Sequence, residues 1–167
     1  VRGDFWQALG QWRFVAKFVA MALLTAIAAR AVYDLSRPTT EPGHALGRLV
    51  IPLGFILVLL VTELMMRPMA TWPAYAMGTN AAICLTTVPM LSAAPLIALL
   101  FALRSSAPRS PAALGGIAGA MAGGIGAFFY AAHCTDDSPM FVAVWYSIAI
   151  LVVSAIGALA GQRILKW

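Results

Sequence analysis

Two cysteines, two histidines and a pair of adjacent aspartates are the residues of this sequence whose types could carry chemistry. Cys134 stands in a polar run over 133–139 with His133, Asp136 and Asp137, and Cys84 stands upstream in an apolar stretch. Thiols, imidazole and carboxylates are donors of suitable type for a soft metal, with Cys84, His133 and Cys134 as its ligands, and two thiols alone are a redox pair. The spacing lacks the paired CxxC pattern of a metal signature. The residues therefore leave a second reading open, in which Cys84 is a small buried hydrophobe and Cys134 belongs to a helix-end turn where Asp136 or Ser138 caps the next helix. His44 falls at the opposite end of the helices from His133, across about 30 Å of hydrocarbon, so the two cannot share a metal. No nucleophile, base and oxyanion donor gather on one face, which argues against an enzyme. Lys17, Arg30 and Glu63 read as lying near span ends, which argues against an ion pump. Asn80, Thr86 and Thr87 read as interhelical hydrogen-bonding groups.

Helices in lipid must position these residues. Of 167 residues 62% are hydrophobic and 10% charged, against about 25% charged in a soluble domain. So few charges cannot cover an apolar core with polar surface, and the outside must face lipid. The fold class is all-α, a polytopic membrane helix bundle forming one domain over 1–167. The basic balance, 11 Lys and Arg against 6 Asp and Glu, does not signal nucleic acid, because the charges punctuate apolar runs instead of forming one patch. Five spans are predicted, over 12–35, 48–66, 79–103, 111–133 and 140–164. Between them, 36–47 and 67–79 read as loops, the second with Trp72 and Tyr75 at the membrane interface. Lys17 reads as a snorkelling residue and Glu63 as a last-turn residue close to water. Thr79 is the expected N-cap of the third span, which Pro89 and Pro95 should kink. Gly115, Gly119 and Gly123 recur at four-residue spacing, a small-residue face for close helix packing. Trp145 and Tyr146 fall near the start of the fifth span.

Orientation follows from the basic residues. Arg30, Arg37, Arg48, Arg104, Arg109, Arg163 and Lys166 fall on one side, and past the first span only Arg67 falls on the other. The first set marks the cytoplasm, so the 133–139 turn faces outward and the C-terminal Trp167 inward. Five spans then leave Arg2, Arg13 and Lys17 outside, against the rule, and Val1 is not an initiator methionine. One more helix upstream, six in a full-length protein, would restore a cytoplasmic start, with Phe5, Trp6, Leu9 and Trp12 lying along the outer interface.

The stretch from Gly78 through Asn80, Cys84 and Pro89 to Ser92, then Pro95 and Arg104, is one of three patterns carrying a family resemblance. The others are the run HCxxDSPxFVAVWY, from His133 to Tyr146, and the ending from Gly161 to Trp167. Together they resemble the NrsF-type negative regulators of sigma F, membrane anti-sigma factors of proteobacteria. The resemblance implies six spans and a regulator, not an enzyme; the sequence itself requires no cofactor and leaves a soft metal ion at the cysteines open. It also implies a multi-pass inner-membrane protein that sequesters an extracytoplasmic-function sigma factor and releases it on an outer-side metal or oxidative signal. The sigma contact would lie in a cytoplasmic N-terminal segment absent from this chain, and the protein would touch the lipid bilayer but no nucleic acid directly. Cys84 and Cys134 match family cysteine positions, which favours a sensing role for them, with His133, Asp136 and Asp137 beside them. Asn80, Pro89, the three glycines, Trp145 and Tyr146 would be structural or signalling residues. A membrane thiol oxidoreductase or a small metal transporter would explain the same residues, although thiol relays need more than one cysteine pair.

Overall fold

In hydrocarbon no water can satisfy a peptide group, so apolar runs of this length close their hydrogen bonds internally as helices. The computed structural model describes residues 2–39 and 41–165. Lys166 and Trp167, which carry part of the basic count and of the orientation argument, lie outside the described residues. In chain order the elements are α1 (Phe5–Ala8), α2 (Trp12–Leu35), α3 (Pro42–Gly47), α4 (Val50–Met66), a 3-10 turn (Met69–Thr71), α5 (Trp72–Met77), α6 (Ala81–Leu103), α7 (Pro111–Ala131), α8 (Pro139–Phe141), a π-helical turn (Val142–Tyr146) and α9 (Ser147–Ile164). No strand occurs among the described residues. Five helical stretches are long and apolar enough to cross a membrane: Trp12–Leu35, Pro42–Met66, Ala81–Leu103, Pro111–Ala131 and Pro139–Ile164.

Local chemistry departs from the sequence reading in three places. Half of the expected loop over 36–47 is α3, because Pro42 sits at a helix start, where its missing N–H costs nothing. The 67–79 stretch also folds, into the 3-10 turn and α5, and ends where Gly78 takes φ +57°. Asn80, not Thr79, is the N-cap residue of α6, and neither side chain does the capping. Asp136 supplies it from across the bundle, accepting from the backbone N–H of Thr79 at 3.0 Å and of Asn80 at 2.8 Å. Ser138 caps the following helix as expected, accepting from Met140 N–H at 3.3 Å.

Helix α7 is the centre of the bundle, with 13 buried residues against two in α4. Its glycines explain why. A Cβ added to Gly115 would collide with the Gly157 carbonyl oxygen, and one added to Gly119 would come within 2.6 Å of Ser154 Cα, so the α7 and α9 backbones lie in contact. Gly123 continues the row against Ile150 at 3.1 Å. The core divides into two clusters along the helices. One holds Cys84, Val88, Tyr130, Cys134, Phe141 and Tyr146; the other holds Ala28, Leu35, Leu96, Leu100, Leu114 and Ile117.

Candidate functional site

The up-and-down helix order gathers the start of α2, the end of α4, the start of α6, the end of α7 and Pro139 at one end of the bundle. The segment 134–137 sits among them. Cys134 closes α7 through its N–H to Tyr130 O at 3.0 Å, and its thiol points to Asp136 O at 3.8 Å. Its carbonyl accepts from Lys17 Nζ at 2.9 Å and from the Arg2 guanidinium at 3.4 Å. The same two cations hold Asp137, Lys17 at 2.6 Å and Arg2 at 2.7 Å. Asp136 turns the other way, to the start of α6, where Asn80 Nδ2 adds a bond at 2.8 Å. Cys134 and Asp137 thereby fasten the end of α7 to α2 on one side, and Asp136 fastens it to α6 on the other. Gly78 is required beside them, since a Cβ there would stand 2.8 Å from the Asp136 carboxyl and strike the Phe141 ring.

Two sequence expectations fail here. Lys17 does not snorkel: it is 1% exposed, with its ammonium on Asp137 and over the Phe14 ring at 4.9 Å. Glu63 is not close to water: it is 0% exposed, held by Arg13 at 2.8 Å and Arg67 at 3.1 Å. Each charge near a span end was within reach of an opposite one, and pairing replaced hydration. The pairs also account for Arg2, Arg13 and Lys17, the residues that strained the orientation rule. Arg2 reaches this end because the N-terminal segment folds over it, with Phe5 against Phe14 at 5.4 Å between ring centroids and Arg2 N–H on Ala132 O at 3.1 Å. Trp6 stays exposed. The Arg2 guanidinium holds the Asp4 carboxyl down to about 2, so its contribution is full above the ordinary carboxylate range and is lost as the pH falls toward 2.

Cys84 lies in the first turn of α6, fully buried, and packs in the same cluster as Cys134. The two are free thiols in this arrangement. Burial pushes the Cys134 thiol up from its ordinary value, which favours the protonated form. His133 is not with them. It is exposed, with Nδ1 3.4 Å from Phe129 O, because the last turn of α7 sends it away from the side that buries Cys134. The ligand set Cys84, His133 and Cys134 is therefore not assembled. Among the described residues no three His, Cys, Asp or Glu side chains form a group that could hold a metal ion.

Sequence reasoning missed Tyr130. Its hydroxyl and that of Tyr146 are buried beside the Cys134 thiol, a weak hydrogen-bonding group, with ring centroids 5.8 Å apart in the thiol cluster. Tyr146 belongs to the π-helical turn, a feature frequent at functional sites. Its neighbour Trp145 donates from Nε1 to Ala76 O at 2.8 Å, tying that turn to α5. A lysine within an apolar span was the available signal for the clamp, since an ionisable residue there usually has a partner worth naming. Beside the clamp is an open cavity of about 660 Å³ whose lining includes Arg13, Arg67, Tyr75, Thr79, Asp136 and Asp137.

The fold is that of a polytopic helical membrane protein, with a buried thiol and ion-pair cluster at one end. The family of negative regulators of sigma F, NrsF, matches residues 1–167, and the chain belongs to it. The probable anti-sigma-F factor NrsF of Azospira oryzae is 30% identical over 168 residues, covering 100% of this chain and 78% of that protein. The anti-sigma-F factor NrsF of Caulobacter vibrioides is 40% identical over 74 residues, 44% of this chain and 35% of that protein. No solved structure matches.

Proposed function

We propose that this protein is a non-enzymatic, inner-membrane anti-sigma factor that holds an extracytoplasmic-function sigma factor inactive at its arginine-rich end and releases it when a thiol-directed signal reaches the opposite end. Family membership supports the regulatory role. The observation that carries the sensing half is the fastening of segment 134–137, because Cys134 cannot move without pulling on Lys17 of α2 and, through Asp136, on the helix that bears Cys84. Oxidising the two thiols to a disulfide, or bridging them with a soft metal ion, requires their helices to adopt one particular spacing. A change of helix packing at that end can bias the other end through rigid helices. His133, exposed at the rim, is assigned to access and not to ligation. The basic excess at the other end supports a cytoplasmic assignment there, including the C-terminus. The sigma contact is assigned to that face and to the polar N-terminal segment that the family resemblance implies.

The test is co-sedimentation of the sigma factor with membranes that hold the full-length protein. The sigma factor should pellet with them, and a thiol oxidant should release it from the parent protein but not from the Cys84→Ser, Cys134→Ser double variant. Sigma factor that stays soluble in every case would sink the sequestration reading. Release that ignores the double substitution would sink the thiol reading alone.

A further inference from the structure

Helix α4 is held to the bundle at one end and stands off from it at the other. Glu63, near its end, is locked to Arg13 of α2, and elsewhere along α4 only Pro52 is buried. The gap on the far side of Pro52 is a cleft of about 550 Å³ between α4, α7 and α9, lined by Leu49, Leu53, Gly116, Ala120, Leu151 and Ala155 among others. Its lining is apolar but for the hydroxyls of Ser147 and Ser154, and Ser154 Oγ donates to its own helix at Ile150 O, 2.9 Å away. Water needs two to four polar partners to stay in such a space, and an empty cleft forfeits the dispersion contacts of every wall. Flexible hydrocarbon satisfies both conditions.

The dimensions and charge say which hydrocarbon. On α9 the lining runs from Ser147 to Ala158, about 16 Å of helix, roughly half the 30 Å hydrocarbon thickness and so the depth of one leaflet. The cleft reaches Leu46, Leu49, Ala113 and Ala158, all at the arginine-rich end. Arg48 precedes Leu49, Arg109 lies one turn before Ala113, and Arg163 lies just over one turn past Ala158. Among the described residues that end carries six arginines against two acids, Asp34 and Glu41, whereas the opposite end carries four cations against four acids. Asp34 pairs with Arg48 and Glu41 with Arg109 at 3.1 Å, and no acid among the described residues pairs with Arg163. We propose that this cleft is a binding site for an anionic phospholipid, one acyl chain lying between α4 and the α7–α9 pair and the phosphate among Arg48, Arg109 and Arg163. The site depends on the membrane fold and not on the sigma-factor reading.

The test uses the protein reconstituted in phosphatidylcholine vesicles containing a trace of chain-spin-labelled phosphatidylglycerol or, separately, equally labelled phosphatidylcholine. Electron paramagnetic resonance should report a motionally restricted component favouring phosphatidylglycerol, and each arginine replaced in Arg109→Gln, Arg163→Gln should cost about fivefold in that preference. Filling the cleft by Ala120→Leu with Ala155→Leu should remove the excess restricted component. Equal restriction of the two lipids, or a preference indifferent to the arginine changes, would overturn the site. A dimer that excludes the labelled lipid would overturn it too, giving the cleft to a second copy. The arginines changed are exposed, so their result stands even where the filled variant does not fold.

Discussion

Asp137 carries two cations at once, and of the three groups Lys17 is fully buried, at 1% exposure. Removing one partner of a buried pair strands the other charge, at a cost of about 3–5 kcal/mol. Asp137→Asn, which keeps the packing volume, strands the buried Lys17 ammonium and should therefore lower stability by about that much, while adding Lys17→Met to it should cost little more. A double-mutant cycle in detergent unfolding measures the coupling, and additive losses would mean that the clamp is not a unit. The tyrosines predict the opposite sign. Tyr146→Phe removes a buried hydroxyl whose polar neighbour is only the weakly bonding Cys134 thiol, so stability should hold or rise, by up to about 1 kcal/mol. A fall in the unfolding midpoint would show that the hydroxyl is bonded. At this scale the sequence was legible in residue type but not in pairing. Cys84, Cys134, Asp136 and Asp137 stand out by chemistry, yet that Asp136 serves Asn80 and Asp137 serves Lys17 depends on which helices are neighbours. Local spacing does not encode that.

Helix α7 meets α9 through backbone, and the meeting is directional. Gly119 and Gly157 face each other, with a Cβ at Gly157 standing 3.0 Å from Gly119 Cα, whereas a Cβ at Gly116 makes ordinary contacts, with Ala158 Cβ at 3.5 Å and Ser154 O at 3.8 Å. Gly119→Leu should abolish accumulation of folded protein, because no flexible side chain is there to yield. Gly116→Ala should be neutral or stabilising by about 1 kcal/mol, from helix propensity. Expression and detergent stability of the two variants separate them, and equal behaviour would mean that the glycine row does not pack against α9. The four-residue spacing made this face visible in the sequence, although not its partner. The π-helical turn over 142–146 was invisible, since no glycine or proline within those residues marks it. The helical content of 42–47 and 72–77 was likewise hidden behind proline, which reads as a loop residue and here begins helices.

Across the whole molecule the charges divide unequally. At the thiol end cations and acids balance and pair, and at the other end arginine is in excess. Unpaired arginine resists translocation, so alkaline phosphatase fused after Asp137 should be active and after Trp167 inactive. The reverse pattern would move the thiols to the cytoplasm and end the outward-sensing proposal. Composition alone gave the membrane fold, because 10% charge leaves no soluble alternative. The mechanism asks more, namely that chemistry at two buried sulfurs governs a partner bound at the far face. Sigma-dependent reporter transcription in cells making the full-length protein, with and without a membrane-permeant thiol oxidant, tests that link most directly. Oxidant should raise transcription with the parent protein and leave it repressed with Cys84→Ser, Cys134→Ser. An equal rise in both would contradict the account, leaving the cysteines as packing residues of a regulator that takes its signal elsewhere.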